Sequence, residues 1–175
     1  MDIKALYKLS YGMFIVCSKQ GDKLNGQVAN TVFQITSEPP TIAVSINRNN
    51  LTHSYINESK VFTASILSLA TPLSFIGGFG FRSGKDVNKL TGINYKLGKT
   101  GAPVILDNTV AYIESNVVKQ MDVGTHTIFV GEIADAEILN EKEIMTYANY
   151  HLVRRGTTPT TAPTFIAEPK EPKTA

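Results

Sequence analysis

Residues 27–52 have the sequence QVANTVFQITSEPPTIAVSINRNNLT, and this stretch decides the fold. Its first part, Gln27–Ile35, is typical of a β-strand, and Pro39-Pro40 ends that strand because proline cannot donate to a sheet ladder. Thr41–Ile46 then alternates polar and apolar residues with the period of a half-buried strand. Hydroxyl and amide side chains cluster where that strand ends, and Glu38 is the only carboxylate. The stretch therefore predicts a cradle for an anionic cofactor.

The bulk composition indicates one globular domain. A chain of 175 residues can bury a single core, and we expect residues 1–166 to form the domain and residues 167–175 a polar tail. With 17 basic and 15 acidic residues, the net charge of +2 does not indicate a nucleic-acid partner. No apolar run approaches the roughly 20 residues of a membrane span, and no secretion signal is recognisable. We therefore expect a cytoplasmic protein with no membrane partner.

The rest of the chain predicts six or seven strands and three short helices in largely antiparallel order. Val104–Leu106 and Val110–Lys119 are expected to pair as a hairpin, and a capping box at Asn140 predicts a last helix. Gly77–Lys85 is expected to be a flexible loop. Alternating βαβ units are missing, so the pattern favours a mainly β fold, a closed barrel with helical decoration, over a doubly wound sheet.

Common cofactor and metal motifs are absent from the sequence. Gly78 and Gly80 have the first spacing of a dinucleotide fingerprint, but Ser83 stands where the third glycine belongs. The Gly84-Lys85 pair lacks the neighbouring glycine and hydroxyl of a phosphate-binding loop. Cys17 is the only cysteine and the 3 histidines are scattered, so we expect neither a disulfide nor a metal site.

Three groups of polar residues remain as candidates for a binding site. Asn30 lies in a strand where its amide could approach a flat ring, although it could equally face solvent. The next group stands where a strand ends and a helix begins, and comprises Ser45, Asn47, Asn49, Asn50 and Thr52, with Arg48 as a charge partner for a bound anion. Free N–H groups at that junction suit a monophosphate, and the alternative is an ordinary cap and polar turn. The third is the basic loop Arg82–Lys85, which could close over a ligand or be a solvated turn.

Taken together, these segments resemble the flavin reductase-like family, whose domain is an FMN-binding split barrel. The similarity extends from Leu6 to about Ile166 and depends on the order and spacing of the segments. They are the strand ending in Glu38-Pro39-Pro40, Ser45–Thr52, Ser65–Leu67, Arg82–Leu90, Gly101–Val104 and Asp122–His126. The subgroup that the chain resembles most contains flavoredoxins, ferric reductases and the flavin domains of high-molecular-weight rubredoxins. The resemblance implies an antiparallel, Greek-key-like split β-barrel with short peripheral helices, which forms a homodimer with one FMN per subunit.

The resemblance also implies roles for individual residues. The isoalloxazine ring and ribityl chain would contact Asn30, Thr31 and Val32, and the ring edge would lie along Ser65, Ile66 and Leu67. The ribityl phosphate would bind to Ser45, Asn47, Asn50 and Thr52, with further contacts from Arg82 and Ser83. His126 would lie near the ring and the nicotinamide, and Thr125 stands where the family has an acid, so no carboxylate role is expected there.

The expected function is that of an NAD(P)H-dependent FMN oxidoreductase. NADH or NADPH would reduce the flavin as a transient co-substrate, and electrons would pass to rubredoxin, ferric iron or free flavin. A rubredoxin would have to be a separate protein, because the sequence lacks the cysteine pairs that hold its iron. The alternatives are a non-enzymatic FMN electron carrier, the flavin-supplying component of a two-component monooxygenase, and a β-barrel binding module without flavin.

Overall fold

The computed structural model describes residues 2–166, and the predicted tail at residues 167–175 lies outside this range. The described residues form nine strands, which are β1 (Phe14–Gln20), β2 (Lys23–Ala29), β3 (Val32–Ser37), β4 (Pro40–Asn47), β5 (Val61–Leu67), β6 (Tyr95–Leu97), β7 (Pro103–Ile105), β8 (Thr109–Val123) and β9 (His126–Ile138). The helices are a 3₁₀ helix (Ile3–Lys8), α1 (Leu51–Ser59), α2 (Leu73–Gly80) and a π-helix (Asn149–Val153). None of these helices combines the length and apolarity that crossing a bilayer requires.

Seven of the strands form one antiparallel sheet in the order β2-β1-β5-β8-β9-β4-β3. Its two edge strands, β2 and β3, follow one another in the chain and are joined only by Asn30 and Thr31. The sheet must therefore curl until its edges meet at this link, and no ladder between β2 and β3 exists in the described residues. β5 follows β4 in the chain but pairs with β1, which gives the Greek-key-like order. The predicted mainly β, split-barrel fold is confirmed.

Alternating side chains of the strands serve two apolar cores. In β1, Val16 points into the barrel, where it packs with Phe62 and Phe129. Ile15 and Cys17 point to the other side of β1, into an outer layer that also contains side chains of α2 and β7. The thiol of Cys17 is completely buried, as expected for a small apolar residue, and burial raises its pKa to about 12.

The predicted single strand over Gln27–Ile35 is wrong, because the structure divides it into β2 and β3. Asn30 and Thr31 leave one edge of the sheet and enter the other, so the two halves have different neighbours. The sequence pattern of the two halves is continuous, and only the closure of the barrel separates them.

The predicted hairpin between Val104–Leu106 and Val110–Lys119 is also wrong. β7 pairs with β6, and β8 pairs with β5 on one edge and with β9 on the other. Both edges of β8 are therefore paired with longer strands, so the short β7 cannot pair with β8 and pairs with β6 instead.

The capping box at Asn140 does not begin a helix. Residues 141–146 are not helical, and the last helical segment begins only at residue 147. The backbone of Met145 instead bonds to both strand ends nearby, donating to Leu67 O and accepting from Met13 N. These bonds satisfy backbone groups at the ends of two core strands, which outweighs a local cap. The expected flexible loop Gly77–Lys85 is likewise shorter than predicted, since Gly77–Gly80 complete α2.

Candidate functional site

A cleft of about 500 Å³ lies against β2, at the point where the sheet closes. Its walls are the ends of β2 and β4, the first turn of α1, the end of α2 with the loop that follows, and residues 157–163. We call residues 157–165 the strap. The predicted site residues that line this cleft are Asn30, Ser45, Asn47, Asn50, Thr52, Arg82 and Ser83. Residues from distant parts of the chain are thus brought together as expected.

The charge of the cleft is one-sided. Among the described residues that line it there is no aspartate or glutamate, whereas Arg82 and Lys89 both contribute cations. Arg82 is exposed, but Lys89 is largely buried in the wall. A buried surface that offers cations and neutral donors without carboxylates is suited to an anion.

Lys89 is a member of the site to which the sequence pattern gave no role. Its Nζ donates to Phe79 O at 2.9 Å, next to the end of α2, and burial lowers the pKa of its ammonium to about 8. The neighbouring thiol of Cys17 is uncharged at neutral pH, so it cannot neutralise the charge of the Lys89 ammonium. One carbonyl occupies one of the three donors of the ammonium, so the charge remains available to a ligand.

The first turn of α1 forms the opposite wall. Asn50 stands at the N-cap position, but its side chain donates to Gln27 Oε1 at 3.1 Å instead of capping the helix. The first turn of the helix contains no acidic residue. Leu51 and Thr52 of this turn line the cleft, so the positive end of the helix dipole lies beside it without competition from a carboxylate in the turn.

Two residues of β2 orient this wall and were missed as site residues. Gln27 holds Asn50, and Asn25 Nδ2 donates to Thr52 Oγ1 at 2.8 Å in a buried position. The sequence did contain a signal for them, because Asn25 and Gln27 are two residues apart and place two amides on one face of the strand.

Gly84 explains how the basic loop reaches α1. A Cβ atom at this position would stand 2.1 Å from Asn25 Oδ1 and 3.0 Å from a methyl carbon of Leu51. Only glycine permits this approach, which places Arg82 and Ser83 beside the first turn of α1.

Asn30 and its two neighbours differ in their placement. Asn30 lines the cleft, and its amide oxygen accepts from Thr31 Oγ1 at 3.1 Å, so Thr31 orients Asn30. Val32 packs against the barrel core and does not line the cleft. The prediction that Thr31 and Val32 contact a ligand directly stays a prediction.

The structure does not bring Ser65, Ile66 and Leu67 to the cleft. Ser65 is buried and its Oγ accepts from Ile105 N at 3.1 Å, whereas Leu67 belongs to the outer core. Both side chains are thus engaged in holding β5 within the fold. Their predicted contacts with a ring edge stay untested and are not part of the site proposed below.

His126 lies in a second cavity of about 320 Å³, which shares Ser45 and Asn47 with the cleft. Its Nε2 lies 3.2 Å from Thr161 O of the strap and donates to it, and its Nδ1 lies 2.8 Å from Thr125 Oγ1. Burial lowers the pKa of this imidazole, so the ring is neutral at neutral pH. The cavity is otherwise lined by hydroxyl, amide and apolar side chains.

Comparison with known proteins assigns the family. The model of the flavin reductase like domain matches residues 6–155, which is most of the chain. The chain belongs to the flavin reductase-like family. As a member of this family it is a flavin reductase-type oxidoreductase, and the family predicted from the sequence is confirmed.

Two relatives support this assignment, and a solved structure shares the fold. The high molecular weight rubredoxin of Moorella thermoacetica is 55% identical over 175 residues, which cover 100% of this chain and 76% of that protein. The ferric-chelate reductase (NAD(P)H) of Archaeoglobus fulgidus is 52% identical over 95% of this chain and 98% of its own length. The NADH:FAD oxidoreductase SgcE6 of Streptomyces globisporus shares the fold, with a TM-score of 0.74 at 22% identity over 82% of this chain and 84% of that one.

Proposed function

We propose that the cleft binds FMN and that the chain is an NAD(P)H-dependent FMN oxidoreductase. The observation that carries this proposal is the carboxylate-free cleft in which Arg82, Lys89 and the first turn of α1 converge. One helix N-terminus with two cations suits a single phosphate, which favours FMN over the diphosphate FAD. The flat ring would lie toward Asn30, Ser45 and Asn47, whose neutral groups can bond to its carbonyls and nitrogens.

The protein would bind, orient and shield, while the cofactor supplies the chemistry. A bound flavin provides hydride acceptance from a reduced nicotinamide and single-electron donation, which no side chain can provide. We propose that the second cavity receives the nicotinamide, because it shares a wall with the cleft and, among the described residues that line it, His126 alone is ionisable. The neutral His126 would hold Thr161 of the strap and leave the uncharged cavity suited to an amide-bearing ring.

The names of the two close relatives suggest the electron acceptor. One relative is named a rubredoxin and the other a ferric-chelate reductase, so a rubredoxin-type protein and a ferric chelate are the acceptors to test first. Titration of the purified protein with FMN, followed by quenching of flavin fluorescence, tests the cofactor. Anaerobic addition of NADH or NADPH should then bleach the flavin absorbance. Absence of binding would contradict the whole proposal, and binding without bleaching would favour an electron carrier.

We further propose that the chain forms a homodimer through the outer face of β3, β4, β9 and β8. The strand register places Phe33, Ile128 and Met121 on the same face, since Phe33 pairs with Ala43 two residues before Ser45, and Ser45 pairs with Ile128, which pairs with Met121. Phe33 is 51% and Met121 60% exposed. A contiguous apolar face on a sheet is characteristic of an interface, and this one adjoins the second cavity.

Met121→Glu should convert the dimer to a monomer. A carboxylate in the middle of an apolar interface would lose its hydration without gaining a partner. Light scattering coupled to gel filtration measures the mass directly. Leu97→Glu is the matched control, because Leu97 is also 60% exposed but lies in β6, outside this face. A wild-type monomer, or equal masses for both variants, would refute the interface.

Gly84→Ala should weaken FMN binding by about tenfold, equivalent to roughly 1.4 kcal/mol. The added methyl group would collide with Asn25 Oδ1 and displace Arg82 and Ser83 from α1. Fluorescence titration gives the dissociation constant. Gly78→Ala serves as the control, since a Cβ there meets no atom within 4 Å. Unchanged affinity in Gly84→Ala would show that the basic loop does not contribute to the phosphate site.

A further inference from the structure

The strap is fastened across the cleft by side chains that belong to the site itself. Asn30 Nδ2 donates to Thr164 Oγ1 at 2.9 Å, and His126 Nε2 donates to Thr161 O at 3.2 Å. Tyr150 Oη donates to Thr157 O at 2.9 Å, at the beginning of the strap. Both the cleft and the second cavity therefore have the strap as a wall, and ligand-facing groups are bonded to it.

Tyr147 joins the two ends of the strap through one hydroxyl. Its Oη lies 2.7 Å from Thr164 Oγ1 and 2.8 Å from Thr158 Oγ1, and Thr158 Oγ1 lies 3.1 Å from His151 Nε2. These bonds are satisfied together when each hydroxyl donates to the next, from Asn30 through Thr164, Tyr147 and Thr158 to His151. Burial lowers the pKa of His151, which keeps its imidazole neutral and able to accept this last bond.

The base on which the strap lies is packed by aromatic rings and by the end of α2. The π-helix Asn149–Val153 presents Tyr150 and His151 to the strap, and His151 packs edge-on against Tyr147 with ring centroids 4.3 Å apart. Pro159 of the strap lies over the end of α2, where a Cβ on Gly80 would stand 3.7 Å from its Cγ. Hydrogen bonds thus hold the strap at several points, and Tyr147 alone bonds to both of its ends, whereas the surfaces beneath it are packed.

We propose that the strap is a gate that controls the exchange of FMN, with Tyr147 as its latch. This inference rests on the proposed binding of FMN in the cleft. Opening the strap breaks its bonds to Asn30 and His126 and admits FMN to the cleft, and closing it restores these bonds and encloses the cofactor. The closed strap makes both entry and release of FMN slow, so FMN behaves as a prosthetic group and not as a dissociable substrate.

Tyr147→Phe tests the gate, because it removes two hydrogen bonds and preserves the ring. Stopped-flow measurement of FMN fluorescence gives the association and dissociation rate constants separately. We expect both to increase about tenfold, because the closed strap loses the two hydrogen bonds of the Tyr147 hydroxyl, while the dissociation constant changes less than threefold. Tyr95→Phe, in the distant β6, should match the wild type. Thr164→Val, which also removes the bond to Asn30, should reproduce the effect if Tyr147→Phe folds poorly.

Thermolysin cleavage of the FMN-free protein provides a readout that does not depend on flavin. Cleavage within the strap, located by mass spectrometry, should be about tenfold faster in Tyr147→Phe than in Tyr95→Phe. An increase in the dissociation rate alone, with an equal rise in the dissociation constant, would overturn the gate and make Tyr147 a direct ligand contact. Rates equal to those of the control would also overturn it. A wild-type protein that binds no FMN would instead refute the proposed cofactor.

Discussion

Replacing Lys89 with methionine will weaken FMN binding by about 10- to 150-fold and leave riboflavin binding within about threefold of the wild type. The range corresponds to one charge-assisted hydrogen bond of about 1.5–3 kcal/mol. Riboflavin lacks the phosphate, so it cannot report on a cation that faces that group. The methionine side chain retains most of the volume of lysine, which keeps the wall of the cleft filled. Parallel fluorescence titrations with the two flavins measure the effect.

Lys85→Met is the matched control for this variant. Lys85 lies in the same loop, is exposed and does not line the cleft. Its replacement removes the same charge from the same region, so a long-range electrostatic effect would appear in both variants. Equal losses of FMN and riboflavin in Lys89→Met would place Lys89 at the ring and contradict the phosphate assignment.

The affinity of the wild type for FMN should also fall as the pH rises above about 8. Burial holds the pKa of Lys89 at about 8 in the empty protein, so the ammonium is increasingly deprotonated above that value. Each pH unit should weaken binding by up to about tenfold, until the pKa of the lysine in the complex is passed. Lys89→Met should show no such fall in this range.

Lys89→Met should also stabilise the FMN-free protein against unfolding by on the order of 2–3 kcal/mol at pH 7. Lysine has a pKa of about 10.5 when unfolded and about 8 in the folded chain. The folded state therefore holds the proton less tightly, and each unit of that difference is worth about 1.4 kcal/mol. The lost bond to Phe79 O reduces the gain to the stated range.

The pH dependence of the unfolding free energies of wild type and Lys89→Met distinguishes removal of a buried charge from improved packing. Between pH 8 and 10.5 the unfolded chain binds more protons at Lys89 than the folded chain, so this residue makes the wild type more stable as the pH rises. The stability difference between Lys89→Met and wild type should therefore shrink toward zero near pH 10.5. Urea unfolding of the FMN-free proteins at several pH values measures it. A difference that stays constant with pH would exclude the buried ammonium as its source.

Much of the fold could be predicted because its signals are local. The alternation in Thr41–Ile46 and the proline pair before it define a strand and its start, and the polar junction after it marks the entry to α1. The errors lie where distant strands decide the outcome. Asn140 has the sequence signature of a helix N-cap, but the backbone of Met145 forms hydrogen bonds with the ends of β1 and β5 instead. No local sequence pattern indicates these long-range bonds.

The site residues also fall into those that local sequence could predict and those that it could not. Asn50, Thr52 and Arg82 could be predicted because a strand-to-helix junction and a basic glycine loop have sequence signatures. Lys89 could not, since its importance comes from burial at the end of α2 and from the absence of carboxylates around the cleft. The bonds between Tyr147 and the strap are equally invisible in the sequence, because they depend on where the strap crosses the molecule.

The two-residue link at Asn30-Thr31 has a consequence for how the holoprotein is made. It is where the first and last strands of a curled sheet meet, and the cleft proposed to bind flavin is assembled around that seam from both sides. A nascent chain thus has no pocket to offer until the seam has closed. Cofactor capture should therefore follow closure of the seam, and cells starved of riboflavin should accumulate a folded, colourless protein that can be charged later.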